Sequence, residues 1–191
     1  KRNQAYATPS SLWADTFKKN PNKLSIGKTL SIHYLMEEKY PKALKTLNDL
    51  LKINPGLYDV HQNMGLAFQH LGDMTNAERK FKDAISINYK APEAHYNLAS
   101  LYGSIGKPIK SSKEFDISAK LFTGHINGPP HAFHLDKARA HNQAGIAYIN
   151  VKKYEEALQQ FEKSVKQNPK LLEARFNLAK LLLELKNDKM Q

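Results

Sequence analysis

Histidine is the residue type whose placement in this 191-residue chain most directly invites chemistry. Three of the eight histidines cluster as His125, His131 and His134, in a stretch broken by Gly124, Gly128, Pro129 and Pro130. Neutral imidazoles are good zinc ligands, so this cluster is a candidate metal site. Asp136 is the one nearby carboxylate that could support it. A solvated, histidine-rich loop accounts for the same residues and is the weightier reading. Three more, His61, His95 and His141, recur at one position of a repeating pattern. Equivalent positions in stacked helices lie about 10 Å apart, too far to share an ion, so these are expected to pack at the edge of a core. The chain has no cysteine, which removes disulfides and thiolate metal sites. It also lacks a glycine-rich phosphate loop, a nucleophile elbow, a paired-carboxylate site and the helical zinc motif with its glutamate. No catalytic constellation and no cofactor are expected.

A second set of polar residues points to recognition. Asn63, Asn97 and Asn177 share one repeat position, with Gln143 in the remaining full repeat and Thr29 in the first. A primary amide offers both donors and an acceptor, which suits paired hydrogen bonds to a peptide backbone. Amides spaced about 10 Å apart on stacked helices would meet roughly every third residue of an extended strand, which advances about 3.3 Å per residue. Gln62, Tyr96 and Lys28, one position earlier, would line the same surface. The competing reading is that these amides satisfy local turns or polar contacts within the stack.

The elements that must carry these residues follow from a 34-residue period. Ala43, Ala77 and Ser111 are spaced by it, as are Leu47, Phe81 and Phe115; Tyr34, Phe68 and Tyr102; Ser31, Gly65 and Ala99; and Leu30, Met64 and Leu98. The set returns after a longer gap as Ala144, Gly145, Tyr148, Ala157 and Phe161. Each unit holds two apolar-periodic segments of about a dozen residues. In the second unit they run near 57–71 and 76–87, split by Gly72-Asp73. Small residues at Gly65, Ala77 and Ala84 let helices approach, and Met64, Phe68 and Phe81 fill the space between. Pro55 and Pro169 are placed to stop the second helices. A single hairpin cannot bury both faces, so neighbours must stack.

These residues resemble the tetratricopeptide repeat family, whose repeat is 34 residues long. The likeness rests on Leu30, Ser31, Tyr34, Ala43, Leu47 and Pro55 in the first repeat, and on their counterparts in the others. Repeats span about 24–57, 58–91, 92–125 and 138–171, with an inserted loop at 126–137. The third departs most, with Ser111 and Ser118 at small positions, and histidine stands where the family has an early Trp. The resemblance implies an all-α, right-handed α-solenoid whose first helices line a concave groove that binds a protein or peptide. The amide ladder is similar to that in the tetratricopeptide region of O-linked N-acetylglucosamine transferase. A carboxylate clamp, another binding mode of the family, is not expected. Lys28 matches one of its lysines, but Ile32 stands where it needs Asn and Tyr96 where it needs Lys. Ile32, Leu66 and Ile146 could receive apolar side chains of a ligand or pack between helices; Leu35 is expected to pack.

The frame extends beyond the four repeats. Trp13 and Pro21 precede Leu47 and Pro55 by one period, so residues 1–23 read as a leader and a capping helix over 10–19, with Ser10 or Ser11 as N-cap. Ala179 follows Gly145 by one period, within a C-terminal capping helix over 172–191 that is apolar-periodic to Leu185. Ten helices and no strands are expected. This end could pair with another copy. The leader, through Arg2-Asn3, Tyr6, Leu12-Trp13-Ala14-Asp15 and Pro21-Asn22, resembles the junction between membrane and tetratricopeptide parts in O-mannosyltransferase-like membrane proteins. That likeness implies an alternative role, an accessory domain presenting substrates to a membrane-bound glycosyltransferase. The chain would then sit on the non-cytoplasmic side of a bacterial-type membrane, held through an upstream region; otherwise a cytoplasmic scaffold is implied. No apolar run here approaches the ~18 residues a bilayer span needs. The net charge of +11 raises the question of nucleic acid, yet only four of the 29 cations are Arg and the lysines are scattered, so a solvated surface is expected instead.

Overall fold

The computed structural model of the chain describes residues 8–121 and 137–188. Among them are ten helices and no strand: α1 (Pro9–Lys19), α2 (Leu24–Met36), α3 (Tyr40–Ile53), α4 (Tyr58–His70), α5 (Met74–Ile87), α6 (Pro92–Ser104), α7 (Pro108–Leu121), α8 (Lys137–Ile149), α9 (Tyr154–Gln167) and α10 (Leu172–Asp188). None of the described helices is long and apolar enough to cross a membrane. The chain divides into two compact units, one holding α1 to α5 and the other α6 to α10.

Sequence dictates where the helices begin and turn. Prolines stand in the first turn of α1, α3 and α6, where their missing N–H costs no helical hydrogen bond. Asp73 caps α5, its carboxylate accepting from the Asn76 backbone N–H at 3.0 Å. The turn inside each hairpin passes through a left-handed residue at one register position. Gly72 (φ 78°) and Gly106 (φ 70°) take it in two hairpins, and Glu38 (φ 56°) and Lys152 (φ 58°) in the others.

In unit 1, Leu47, Leu50, Val60 and Met64 form the core, with Phe17 of α1 packed against it. Gly27 lets this happen, because a Cβ there would fall 2.8 Å from the Phe17 ring and closer still to Leu50. The N-cap of α1 corrects the sequence-based expectation: it is Thr8, not Ser10 or Ser11. Pro9 is suited to the first helical position, which pushes the cap one residue upstream. Ser10 instead turns to Glu37, donating from its backbone N–H (3.1 Å) and hydroxyl (2.6 Å) to the carboxylate. Lys39 donates to the same carboxylate at 2.6 Å. The Lys39 and Ser10 hydrogen bonds hold the Glu37 carboxyl down to about 2.

In unit 2, the core joins Ala99, Phe115, Ala144 and Ala147, and then Ala157, Phe161 and Leu181. Gly145 admits the Phe161 ring so closely that a Cβ would lie 2.5 Å from it, and Gly65 does the same for Phe81 in unit 1. The unusual serines of the third repeat have a structural use. Ser111 donates to the Ala99 carbonyl at 2.8 Å and Ser118 to the Pro92 carbonyl at 2.8 Å. Ser164 does the same to Ala138 at 2.6 Å. Each hydroxyl satisfies a first-helix carbonyl from the partner helix of its own hairpin, so a polar side chain is buried without an orphaned group.

Candidate interaction surface

The first helix of each hairpin carries the residues expected to recognise a ligand. In unit 1, Gln62 and Asn63 lie on α4, half-buried, and neither side chain makes a hydrogen bond among the described residues. Lys28 on α2 is spent: its ammonium pairs with Asp59 of α4 at 2.7 Å, both partly exposed. A cation at this position therefore bridges neighbouring first helices. Ile32 is 38% exposed, while Leu35 and Leu66 are half-buried.

In unit 2 the candidates are Tyr96 and Asn97 on α6, Gln143 on α8 and Asn177 on α10. Tyr96 packs edge-on against Phe115, ring centroids 5.0 Å apart, and against the clusters formed by Ala99, Phe115, Ala144 and Ala147 and by Ala119 and Ala140. Burial pushes its phenol up, Arg139 opposing and Glu173 adding to the shift. Its ring is thus a packing element between α6 and α8. Asn177 donates from Nδ2 to Oδ1 of Asn142 at 3.0 Å, tying α10 to α8. Asn142 is almost wholly buried. Sequence reasoning missed it; its signal was an amide one position before the ladder, where the other repeats vary. Asn97 and Gln143 are half-buried and make no side-chain hydrogen bond among the described residues, so both amides remain available. Ile146 packs against the Ala157–Phe161–Leu181 core.

His95 and His141 are each held within one hairpin, whereas His61 reaches back to the connection that precedes its own. His95 Nδ1 lies 2.7 Å from Glu114 Oε2. His141 Nδ1 lies 2.7 Å from Gln160 Oε1, and Gln160 Nε2 donates to Asp116 Oδ1 at 3.2 Å. The Asp116 contact fixes the orientation of the Gln160 amide, so His141 carries its proton on Nδ1 and donates it. Burial pulls the His141 imidazole below its ordinary value, and the Gln160 hydrogen bond opposes that. His61 donates from Nε2 to the Pro55 carbonyl at 3.0 Å. Its Nδ1 is buried without a hydrogen bond, 3.6 Å from Asp83 Oδ2. The partner differs because Lys80 occupies the register position of Glu114, so the acid comes from three residues later. These are packed side chains, and no group of three or more metal-binding side chains occurs among the described residues. His125, His131 and His134 lie outside the described residues, as do Arg2, Asn3 and Tyr6 of the leader. A concavity of about 660 Å³ is lined by Lys45, Asn48, Asp49, Leu51 and Lys52, all on α3.

Comparison with known proteins bears on this architecture. Tetratricopeptide repeat models match residues 58–90 and 138–171. An uncharacterized protein of Haemophilus influenzae is 24% identical over 107 residues, 56% of each chain. The photosystem I assembly protein Ycf3 of Cyanophora paradoxa is 27% identical over 89 residues, 45% of this chain and 51% of that one. Anaphase-promoting complex subunit 3 of Schizosaccharomyces pombe is 22% identical over 90% of this chain and 24% of its own length. The match thus spans about half, or less, of these relatives. Among solved structures, pilF of Pseudomonas aeruginosa superposes with a TM-score of 0.71 at 17% identity, over 86% of this chain and 69% of that one. A thermophilic repeat protein of Thermus thermophilus gives 0.68 at 20%, over 91% and 89%. YrrB, described as a repeat protein with an unusual peptide-binding site, gives 0.67 at 16%, over 96% and 86%. Residues 58–90 and 138–171 are tetratricopeptide repeats, and the all-helical fold is that of a tetratricopeptide-repeat protein.

Proposed function

We propose that this chain is a protein-interaction scaffold that binds an extended peptide segment on the first helices of unit 2. The observation that carries the reading is the pair of half-buried amides, Asn97 and Gln143, which make no hydrogen bond among the described residues. A primary amide left unpaired at a partly desolvated surface gains most when a ligand supplies both a donor and an acceptor, as a peptide backbone does. Tyr96, fixed by Phe115, offers a rigid apolar edge between them, and Arg139 and Glu173 supply charges of both signs. The peptide-binding site named for YrrB supports the class of ligand. In unit 1, Asn63 and Gln62 extend the proposal to a second set of amides. Lys28 and Asn177 are left out, since Asp59 and Asn142 already occupy them.

The test is a pull-down from source-cell lysate read by mass spectrometry, comparing the wild-type chain with an Asn97→Ala/Gln143→Ala variant. Circular dichroism must first show equal helicity. A partner held by wild type and at least ten-fold depleted by the variant, which corresponds to about 1.4 kcal/mol, is the expected result. A partner retained equally by both would move the site off these helices and overturn the reading.

A further inference from the structure

A second surface, separate from the amides above, lies along the hairpin turns of unit 2. The turn between α6 and α7 holds Ile105-Gly106-Lys107, and that between α8 and α9 holds Val151-Lys152-Lys153. The two sets occupy the same register positions, so both turns lie on one edge of the unit, about 10 Å apart in stacked hairpins. Helices α6 and α8 are joined through the core of Ala99, Phe115, Ala144 and Ala147. Positive charge collects on this edge. Residues 102–113 hold Lys107, Lys110 and Lys113 and no acid. Residues 149–156 hold Lys152, Lys153, Glu155 and Glu156, and Glu156 is taken by Lys153 at 2.9 Å.

Two features set these lysines apart from a solvated fringe. The ammoniums of Lys107 and Lys110 lie 5.8 and 5.4 Å from the centroid of one ring, that of the almost wholly buried Tyr102. Cation–π contact orders both side chains before a ligand arrives, so an anion meeting them costs less rotamer freedom. Lys152 takes the left-handed conformation (φ 58°) at the place where the neighbouring turn has Gly106 (φ 70°). Glycine adopts that conformation without strain, whereas lysine holds an exposed side chain at the tip of the turn against backbone strain. Apolar side chains are interleaved with the cations. Ile109 is 62% exposed, and Ile105 and Val151, at one register position, are half-buried.

We infer that this edge binds an extended acidic segment of a partner protein, its carboxylates meeting Lys107, Lys110 and Lys152 and its intervening apolar side chains resting on Ile105, Ile109 and Val151. Carboxylates three residues apart in an extended chain, at about 3.3 Å per residue, match the distance between the two turns. All five cations of the edge are lysines, point charges that lack the bidentate grip guanidinium has on phosphate. A nucleic-acid duplex offers no apolar side chains to Ile105 and Val151. A bilayer takes up protruding apolar groups, and on this edge Ile109 alone protrudes. A second copy carries +11 charges and fits poorly. On the matching edge of its unit 1, Glu37 is spent on Lys39 and Ser10, and Asp73 on the cap of α5, which leaves Glu38. The inference stands or falls independently of the amide site.

The probe is a fluorescein-labelled peptide of about twelve residues with glutamate at every third position and leucine and serine between. Fluorescence anisotropy with the 191-residue chain should show saturable binding at about 0.05 M salt that weakens as salt rises to about 0.5 M. A Lys107→Gln/Lys110→Gln variant, which keeps both aliphatic stems, should bind at least ten-fold more weakly at unchanged helicity. Lys152→Gly should weaken binding about three-fold without lowering the urea midpoint. Two controls should bind as wild type does: Glu38→Gly, which relieves the same backbone strain in unit 1, and Lys42→Gln/Lys45→Gln, which removes two exposed lysines from α3. No saturable binding up to about 1 mM peptide overturns the inference. So does an equal loss in the α3 control, which would reduce the binding to net charge. Binding of phosphatidylserine vesicles or of a labelled duplex that the Lys107/Lys110 variant loses, without peptide binding, would assign the edge to lipid or to nucleic acid and overturn it too. Sedimentation showing a dimer that the same variant abolishes, again without peptide binding, would assign the edge to a second copy.

Discussion

At the residue scale the informative side chain is His141. Its Nδ1–H is committed to Gln160, whose own amide is committed to Asp116, and Asp116 accepts from Lys120 at 2.7 Å. The charges of Lys163 and Lys137 also disfavour a second proton, while that of Asp116 opposes them. Burial is the largest cause of the lowered value. The unfolded chain therefore takes up a proton at about 6.5 that the folded chain resists. The sign follows: stability from this group is complete above about 6.5 and declines as pH falls through that value towards the folded one. We expect the urea midpoint of unit 2 to drop between pH 7.5 and pH 5.5, followed by circular dichroism. A His141→Gln variant should start lower at pH 7.5 yet lose less over the same interval. An equal loss in both proteins would show that His141 does not govern the acid limb. This network was not legible in the linear chain. The recurrence of histidine was visible, whereas its partner, nineteen residues away in two hairpins and twenty-two in another, depends on which turn of the second helix carries an acid or amide.

At the element scale the hairpin turn is the sensitive joint. All four turns require one left-handed residue at the same register position, and only two supply glycine. An L-residue in that conformation costs about 1–2 kcal/mol, while glycine's extra freedom in the unfolded chain costs about 0.5–1 kcal/mol. Lys152→Gly should therefore stabilise its hairpin by about 0.5 kcal/mol, read as a shift in the urea midpoint. The reverse change, Gly72→Ala, should destabilise by about 1 kcal/mol. If Lys152→Gly lowers the midpoint, some contact of the Lys152 side chain outweighs backbone strain. Helices were the legible part of this molecule. A period repeated four times fixes the amphipathic faces, and the small residue opposite a ring, Gly65 to Phe81 and Gly145 to Phe161, is a packing rule written directly in residue size. Contacts that join one hairpin to the next were not legible. Lys28 to Asp59, Asn177 to Asn142 and Glu37 to Ser10 link residues that look equally available in a linear reading. Two expected ligand-binding residues are consumed by those links.

At the scale of the whole molecule, the question is what +11 net charges do. Nucleic-acid affinity needs cations that are concentrated, unpaired and preferably guanidinium. Here many lysines are neutralised locally: Lys19 by Asp15, Lys52 by Asp49, Lys82 by Glu78, Lys120 by Asp116 and Lys153 by Glu156. Three of these five lie one helical turn apart at i,i+4 and the other two at i,i+3, so they offset charge along the helix that carries them. Exposed pairs of this kind contribute little to stability, but they leave fewer phosphate contacts to be made. The remaining excess is spread over both units, which favours solubility over a directed field. Anisotropy of a labelled duplex of about 20 base pairs, at about 0.15 M salt, should therefore show nothing tighter than the non-specific range of roughly 10⁻⁴–10⁻⁶ M. Saturable nanomolar binding with a steep salt dependence would mean that the lysines converge on one face after all, and that the partner of this stack of hairpins is a polyanion and not a peptide.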